Sequence, residues 1–266
     1  MWDAYIVTPL TNLLLWIYTL VGGQFGVAII IFTILIRLAT HPLMVRQMKS
    51  TRALQEMQQS EKWKKIQKQY KKNREKLAQE QMKLYKELGI SPFGSCLPTL
   101  IQIPIIFGLY QSIVKALAAT PLQLMTLTHS VYSFLDVPSV VPLNNRFLWM
   151  NLSQPERIYI FGFGIPLLAI IVALTTYIQS KLTTPTSTTP GDQGAAMGRM
   201  MSIYMPLLLG YFSLSFASGL AVYFITSNLV GIAQYALMGR VSWRNLLPGR
   251  KEKVASKSQK VSKGQK

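Results

Sequence analysis

The sequence predicts an all-α polytopic membrane protein, with five transmembrane helices, a cytoplasmic helical hairpin and an N-terminal interfacial amphipathic helix. Three observations predict it. Half of the 266 residues are apolar and only 14% are charged, against about 25% charged in globular proteins. The net charge is nevertheless +18. Apolar and charged residues also segregate: long stretches carry no charge, and the lysines and arginines lie between them.

Residues 1–22 lack a basic leader and a small-residue cleavage site, so they are not read as a signal peptide. Asp3 and Pro9 interrupt them, while Ile6, Leu10, Leu13, Leu14 and Ile17 share one face. That pattern predicts an extracytoplasmic amphipathic helix on the membrane surface. The first span is expected over 23–43, closed by Pro42. Residues 44–90 then carry thirteen Lys/Arg and five Glu, and contain no proline. They predict a cytoplasmic hairpin of two helices, 44–69 and 74–88, with Asn73 capping the second and Gly89 ending it.

A second span is expected over 91–117, with Pro98 and Pro104 inside it. Residues 118–156 read as an extracytoplasmic loop, 157–181 as the third span and 182–199 as a Thr/Pro/Gly-rich cytoplasmic linker. The fourth and fifth spans, 200–216 and 219–238, are joined by a tight turn. Residues 239–266 form a basic tail with nine Lys/Arg and one Glu. The hairpin, linker and tail together hold nearly all the cationic flanks. The positive-inside rule therefore puts them in the cytoplasm and the N-terminus outside. Trp16, Trp149 and Tyr159 then fall at the outer interface.

Arg37 is the anomaly. It lies thirteen residues beyond Gln24, about 20 Å at 1.5 Å per residue, in the inner half of a core about 30 Å thick. A charge at the bilayer centre costs roughly 2.5–3.5 kcal/mol on insertion scales. Snorkelling to the inner interface is the plain alternative. Against it, Thr33, Thr40 and His41 continue a polar stripe along the same helix. Other spans supply polar faces too: Ser95, Thr99 and Gln102; Thr175, Thr176 and Gln179; and Thr226, Ser227, Asn228 and Gln234. For any one of these, a hydrogen bond between packed helices is the simpler account. No span holds an acid to neutralise Arg37, which points to a cationic, hydrated cavity open to the cytoplasm.

The remaining chemistry is sparse. Cys96 is the sole cysteine, and His41 and His129 stand far apart, so neither a disulfide nor a metal site is expected. No catalytic set, nucleotide loop or cofactor signature is present, and the chain is not read as an enzyme. The hairpin bears Lys64, Lys65, Lys68, Lys71, Lys72 and Arg74, a set suited to a substrate, a ribosome or anionic lipid. The tail has the pattern of an RNA- or ribosome-binding extension, with a purely topogenic role as the equal alternative.

Four runs in order resemble one family. GISPFGSCLPTLIQIPIIFGLYQSI, IIIFTILIRLATHPL, FLWMNLSQPERIYI and SLSFASGLAVYFITSNLVGIAQ resemble segments of the YidC/Oxa/Alb membrane-protein insertases, and the likeness extends over about residues 2–240. The resemblance implies five helices around a hydrophilic groove closed to the outside, in a short form without the large outer domain of Gram-negative members. It implies a multi-pass protein of the bacterial cytoplasmic (inner) membrane that inserts and helps fold new membrane proteins. Arg37, Thr33, Gln102, Ser227, Asn228 and Gln234 are the expected groove residues. The partners it implies are nascent membrane proteins with acidic N-tails, together with the Sec translocon. Two other readings stand beside it: an anion or small-solute channel using Arg37 as its selectivity charge, opposed by the apolar run GVAIIIF, and a ribosome tether working through hairpin and tail.

Overall fold

The computed structural model describes residues 2–70, 73–89, 97–117, 121–133, 135, 143–160, 163–183 and 193–239. A π-helical turn, Asp3–Val7, leads into α1 (Thr8–Leu20). Gly22 and Gly23, both at positive φ, reverse the chain into α2 (Phe25–Ala39). The hairpin is α3 (His41–Gln59), α4 (Glu61–Gln69) and α5 (Arg74–Glu87). Next come α6 (Leu97–Leu117) and α7 (Pro121–Ser130). Two small antiparallel ribbons follow, β1–β2 (Arg146–Phe147, Met150–Asn151) and β3–β4 (Ile158–Ile160, Phe163–Ile165). The chain continues through α8 (Leu167–Thr183), α9 (Gln193–Ser213) and α10 (Ser218–Leu237).

Packing runs in series: α9 on α8, α8 on α10, α10 on α2, α2 on α1 and α1 on α6. One apolar cluster threads these contacts, with Leu14, Leu15, Phe25, Ile29, Phe32, Leu109, Ile113 and Leu152 essentially inaccessible. The loop around Leu152 and Gln154 is tied into it. Ser218 donates its N–H and Oγ–H to the Gln154 carbonyl, and the Gly219 N–H donates to Leu152 O at 3.0 Å. These bonds satisfy donors that the first turn of α10 leaves unpaired. Glu156 serves α8 in the same way, its Oε2 accepting from the Leu168 N–H at 3.1 Å.

Several expectations change. The N-terminal helix α1 packs against α2 and α6 as part of the core. Its buried face is Thr11, Asn12, Leu14, Leu15, Ile17 and Tyr18, not the purely apolar stripe. Asn12 is buried because its amide is fully used: it donates to Thr8 O and Ser130 O at 2.9 Å and accepts from the Tyr132 N–H at 2.7 Å. The third apolar helix begins at Leu167 rather than 157, because residues 158–165 pair as a ribbon and Pro166 stands where a helix starts. The next helix begins at Gln193, inside the stretch read as linker, and ends at Ser213.

The first hairpin arm is two helices, broken at Ser60, whose Oγ accepts from the Trp63 N–H at 3.2 Å. Asn73 caps α5 through the Lys76 N–H at 3.1 Å, and Gly89 follows at φ 63°. Met57, Trp63 and Leu84 form a separate small core between the arms. Lys62 lies 3.8 Å from Glu87, so α4 and α5 are antiparallel.

Among the described residues, Ser218–Leu237 alone is long and apolar enough by itself to cross a membrane. Phe25–Ala39 passes the same test together with the helix it bends into, and Pro104–Leu117, Leu167–Leu182 and Ile203–Ser213 are shorter apolar helices. The start of the second expected span (91–96), residue 90, the hairpin tip with Lys71 and Lys72, residues 184–192 of the linker and residues 240–266 of the tail lie outside the described residues.

Candidate functional site

α2 and α10 run parallel, and their contacts step downward together. Near the top, a Cβ on Gly219 would stand 3.3 Å from Ile29 Cδ1 and 3.1 Å from Ile113 Cγ2. A side chain there would push the helices apart. Because glycine lets them approach, Ser227 and Gln234, about two turns apart on α10, are presented to the end of α2, whereas Gly231 faces Gln179 of α8.

Arg37 meets this face. Its Nε donates to Ser227 Oγ at 2.8 Å, and its Nη2 donates to the same oxygen at 2.5 Å. Gln234 Nε2 donates to the Arg37 carbonyl at 3.0 Å and lies 3.4 Å from His41 Nδ1. The neutral phenols of Tyr223 and Tyr235 stand within electrostatic range of the guanidinium. No carboxylate pairs with it: every ion pair among the described residues lies in the hairpin. Arg37 is thus a partly buried cation held by one hydroxyl. Two of its five N–H donors are spent on that oxygen, and its charge has no counter-charge among the described residues.

The expected site residues divide. Arg37, Ser227 and Gln234 come together. Thr33 lies on the same face of α2, one turn above Arg37, wholly buried, and donates back to Ile29 O at 2.6 Å. Asn228 does not join them. It turns to α8, where Nδ2 donates to Thr175 Oγ1 at 3.1 Å and Thr176 Oγ1 at 2.8 Å, which is the interhelical bond the simpler account expects. The side chain of Gln102 lies outside the described residues. In the hairpin, Lys64, Lys65 and Lys68 lie along α4, well away in sequence from this cluster. The Lys64 ammonium, 2.9 Å from Glu61, holds that carboxyl below the usual carboxylate range. The side chain of Arg74 is likewise outside the described residues. Tyr223 and Tyr235 are not among the expected site residues. The signal for Tyr223 is its position one turn before Ser227; Tyr235 has none apart from adjacency to Gln234.

Among the described residues no cluster of His, Cys, Asp and Glu is suited to a metal. What this arrangement offers is electrostatic: a fixed positive charge with free donors, between helices whose other surfaces are apolar.

Residues 16–244 match the family model described as the 60Kd inner membrane protein. The chain is 32% identical over 241 residues to membrane protein insertase YidC 2 of Bacillus anthracis, covering 89% of this chain and 80% of the relative. It is 32% identical to membrane protein insertase MisCA of Bacillus subtilis, covering 89% and 78%. Against YidC of Nitratidesulfovibrio vulgaris, 33% identical, 88% of this chain matches 38% of a much longer relative. The solved crystal structure of an active YidC insertase with its first transmembrane domain resolved is similar too. It has a TM-score of 0.54 and 26% identity, over 88% of this chain and 46% of that one. With a family model over most of its length, relatives about a third identical over most of this chain and a similar solved structure, the chain belongs to the YidC/Oxa family of bacterial inner-membrane protein insertases.

Proposed function

We propose that this insertase passes the polar tails of its substrates across the apolar core through the space beside Arg37, while their apolar segments move directly into lipid. The observation that carries this reading is the uncompensated guanidinium. A protein that used Arg37 only as structural glue would profit from an acid beside it, because an unpaired charge in a low-dielectric wall is costly. Here the charge is retained and only one hydroxyl is bound to it. A carboxylate arriving on a substrate tail supplies the missing counter-charge for the length of the transfer. The driving force is burial of the substrate's apolar span.

The arrangement of ends supports the orientation that goes with this reading. Because α2 and α10 are parallel, the basic hairpin and the basic C-terminal tail leave from the same end. The loops that bind Ser218 and Tyr18 sit at the other. Five spans, with the N-terminus outside and hairpin, linker and tail in the cytoplasm, follow from that pairing and the charge bias. The spans are α2, α6, α8, α9 and α10. Lys64, Lys65 and Lys68 then face the anionic inner leaflet or an arriving ribosome.

Photo-crosslinkers at Tyr235, Ser227 and Leu229 test it. Leu229 is exposed on α10 and faces lipid in this reading. Arrested nascent chains should crosslink through their acidic tails to positions 235 and 227, and through their apolar segments to 229. Tails that crosslink only to hairpin positions would defeat it.

A further inference from the structure

α2 and α3 are joined without a loop. The chain passes through Thr40 straight into α3, and the two helix axes differ by 56°. Pro42 at the start of α3 has no N–H, so the Leu38 carbonyl loses the donor a continuous helix would supply. Such a break is held firmly only where other groups satisfy the freed backbone. The neighbouring carbonyl at this joint, that of Arg37, is bound from a different helix. Gln234 Nε2 donates to the Arg37 carbonyl at 3.0 Å, and Thr40 Oγ1 reaches the same oxygen at 3.4 Å. The orientation of the amide is dictated, since the opposite one would set Oε1 against a carbonyl oxygen. Gln234 is 6% exposed, and its Oε1 has no partner among the described residues. A residue present only to fill space would be leucine or methionine, without that buried orphan acceptor.

We infer that Gln234 is a positioning residue for insertion: it clamps the α2–α3 joint to α10, fixing both the Arg37 guanidinium against Ser227 and the angle at which the hairpin leaves the core. α10 grips Arg37 at two points, the side chain through Ser227 and the backbone through Gln234, about two turns apart. Releasing the second point frees the last turn of α2, and with it everything beyond the bend. The lever is long. α3 has 19 residues, about 28 Å at 1.5 Å per residue, so a change of about 10° at the joint moves its far end by about 5 Å. The consequence for insertion rests on the role proposed for Arg37; the consequence for the hairpin does not.

Spin labels at Gln79→Cys on α5 and Leu237→Cys at the end of α10, in the full chain with Cys96→Ser and in nanodiscs, read the hairpin angle. Gln234→Met keeps length and loses the donor. Its distance distribution should shift or broaden by about 5 Å, as the lever arm predicts, and insertion of an acidic-tailed substrate should slow about five-fold, as loss of one hydrogen bond allows. Gln234→His retains an N–H donor and should stay close to wild type in both readouts. Ser227→Ala should leave the distances unchanged. Superimposed distributions for wild type and Gln234→Met overturn the clamp, whatever happens to insertion, and so does an equal shift for Met and His. If Arg37→Gln inserts normally while Gln234→Met still moves the labels, the clamp stands and the role proposed for Arg37 falls.

Discussion

Replacing Arg37 by Gln removes the charge and leaves a side chain able to donate to Ser227. The size of the effect follows from where the guanidinium sits. A substrate carboxylate about 5 Å away gains about 0.8 kcal/mol if the space has water's dielectric, and about 3.3 kcal/mol at an effective dielectric near 20. Arg37 is partly buried and lined by Ser227 and two tyrosines, an environment between those limits. At 1.36 kcal/mol per decade, insertion of a substrate with one tail carboxylate at that distance should slow by a factor between about 4 and about 250. The assay is reconstituted proteoliposomes with two substrates that differ only in carrying Asp or Asn in the translocated tail. Arg37→Gln should slow the Asp substrate and spare the Asn substrate. Arg37→Lys, which keeps the charge but cannot place two donors on one hydroxyl, should recover most of the Asp rate. Equal slowing of both substrates, with the protein still folded by thermal melt in detergent, would refute attraction as the role of the charge and make Arg37 a structural residue.

Three further outcomes test the frame around the site. Asn228→Leu should lower the stability of the α8–α10 seam by about 0.6–2 kcal/mol, in the range of interhelical hydrogen bonds in membranes, and leave the Asp/Asn substrate ratio untouched. A changed ratio would bring Asn228 back into the transfer path. Gly26→Val should destabilise by about 1–3 kcal/mol, since a Cβ there would fall 2.2 Å from the Phe147 ring. Phe147→Ala should partly rescue it in a double-mutant melt, and strict additivity would show that the contact is not the cause. Trp63→Ala should cost the hairpin about 3–5 kcal/mol, read by hydrogen exchange as loss of protection across 57–87. Protection in α2 and α10 should persist, because the small core of Met57, Trp63 and Leu84 is separate from the main cluster.

Segregation of charge and apolarity was enough to place the helices and the hairpin, and Asn73 and Gly89 marked their own roles because capping is a local matter of one or two residues. Two local signals were outweighed. Pro166 stood in plain view, yet the apolar run on either side of it reads as one span unless the ribbon 158–165 is known. In α1, periodicity favoured a stripe of aliphatics, whereas the buried face admits Thr11 and Asn12 because partners from α7 and its following turn satisfy the Asn12 amide. The site itself was legible only by residue type. Arg37 and Ser227 are 190 positions apart, and which hydroxyl meets which cation depends on the register of two parallel helices, set in turn by glycines such as Gly219. Composition made Asn228 and Gln234 look equivalent. A rotation of about 100° per residue decides that one faces α8 and the other Arg37.

The distribution of acids gives the best reason to treat the bare charge as a selected property. The chain has ten Asp and Glu residues, at 3, 56, 61, 75, 80, 87, 136, 156, 192 and 252. None lies within α2, α6, α8, α9 or α10. A single acid on that face of α10, at Ser227 for example, would pair with Arg37 and offset its desolvation at once. That internal pair would also compete with every incoming carboxylate, and a substrate would then have to displace a partner held at far higher effective concentration. Leaving Arg37 with one hydroxyl keeps its position defined while its charge stays available. Ser227→Asp turns this into a test of the whole scheme. The variant should be at least as stable as wild type, because it supplies a counter-ion, and should lose the preference for acidic tails that the wild type shows. Stability gained together with an unchanged preference would mean that the charge of Arg37 is spent on something other than the substrate.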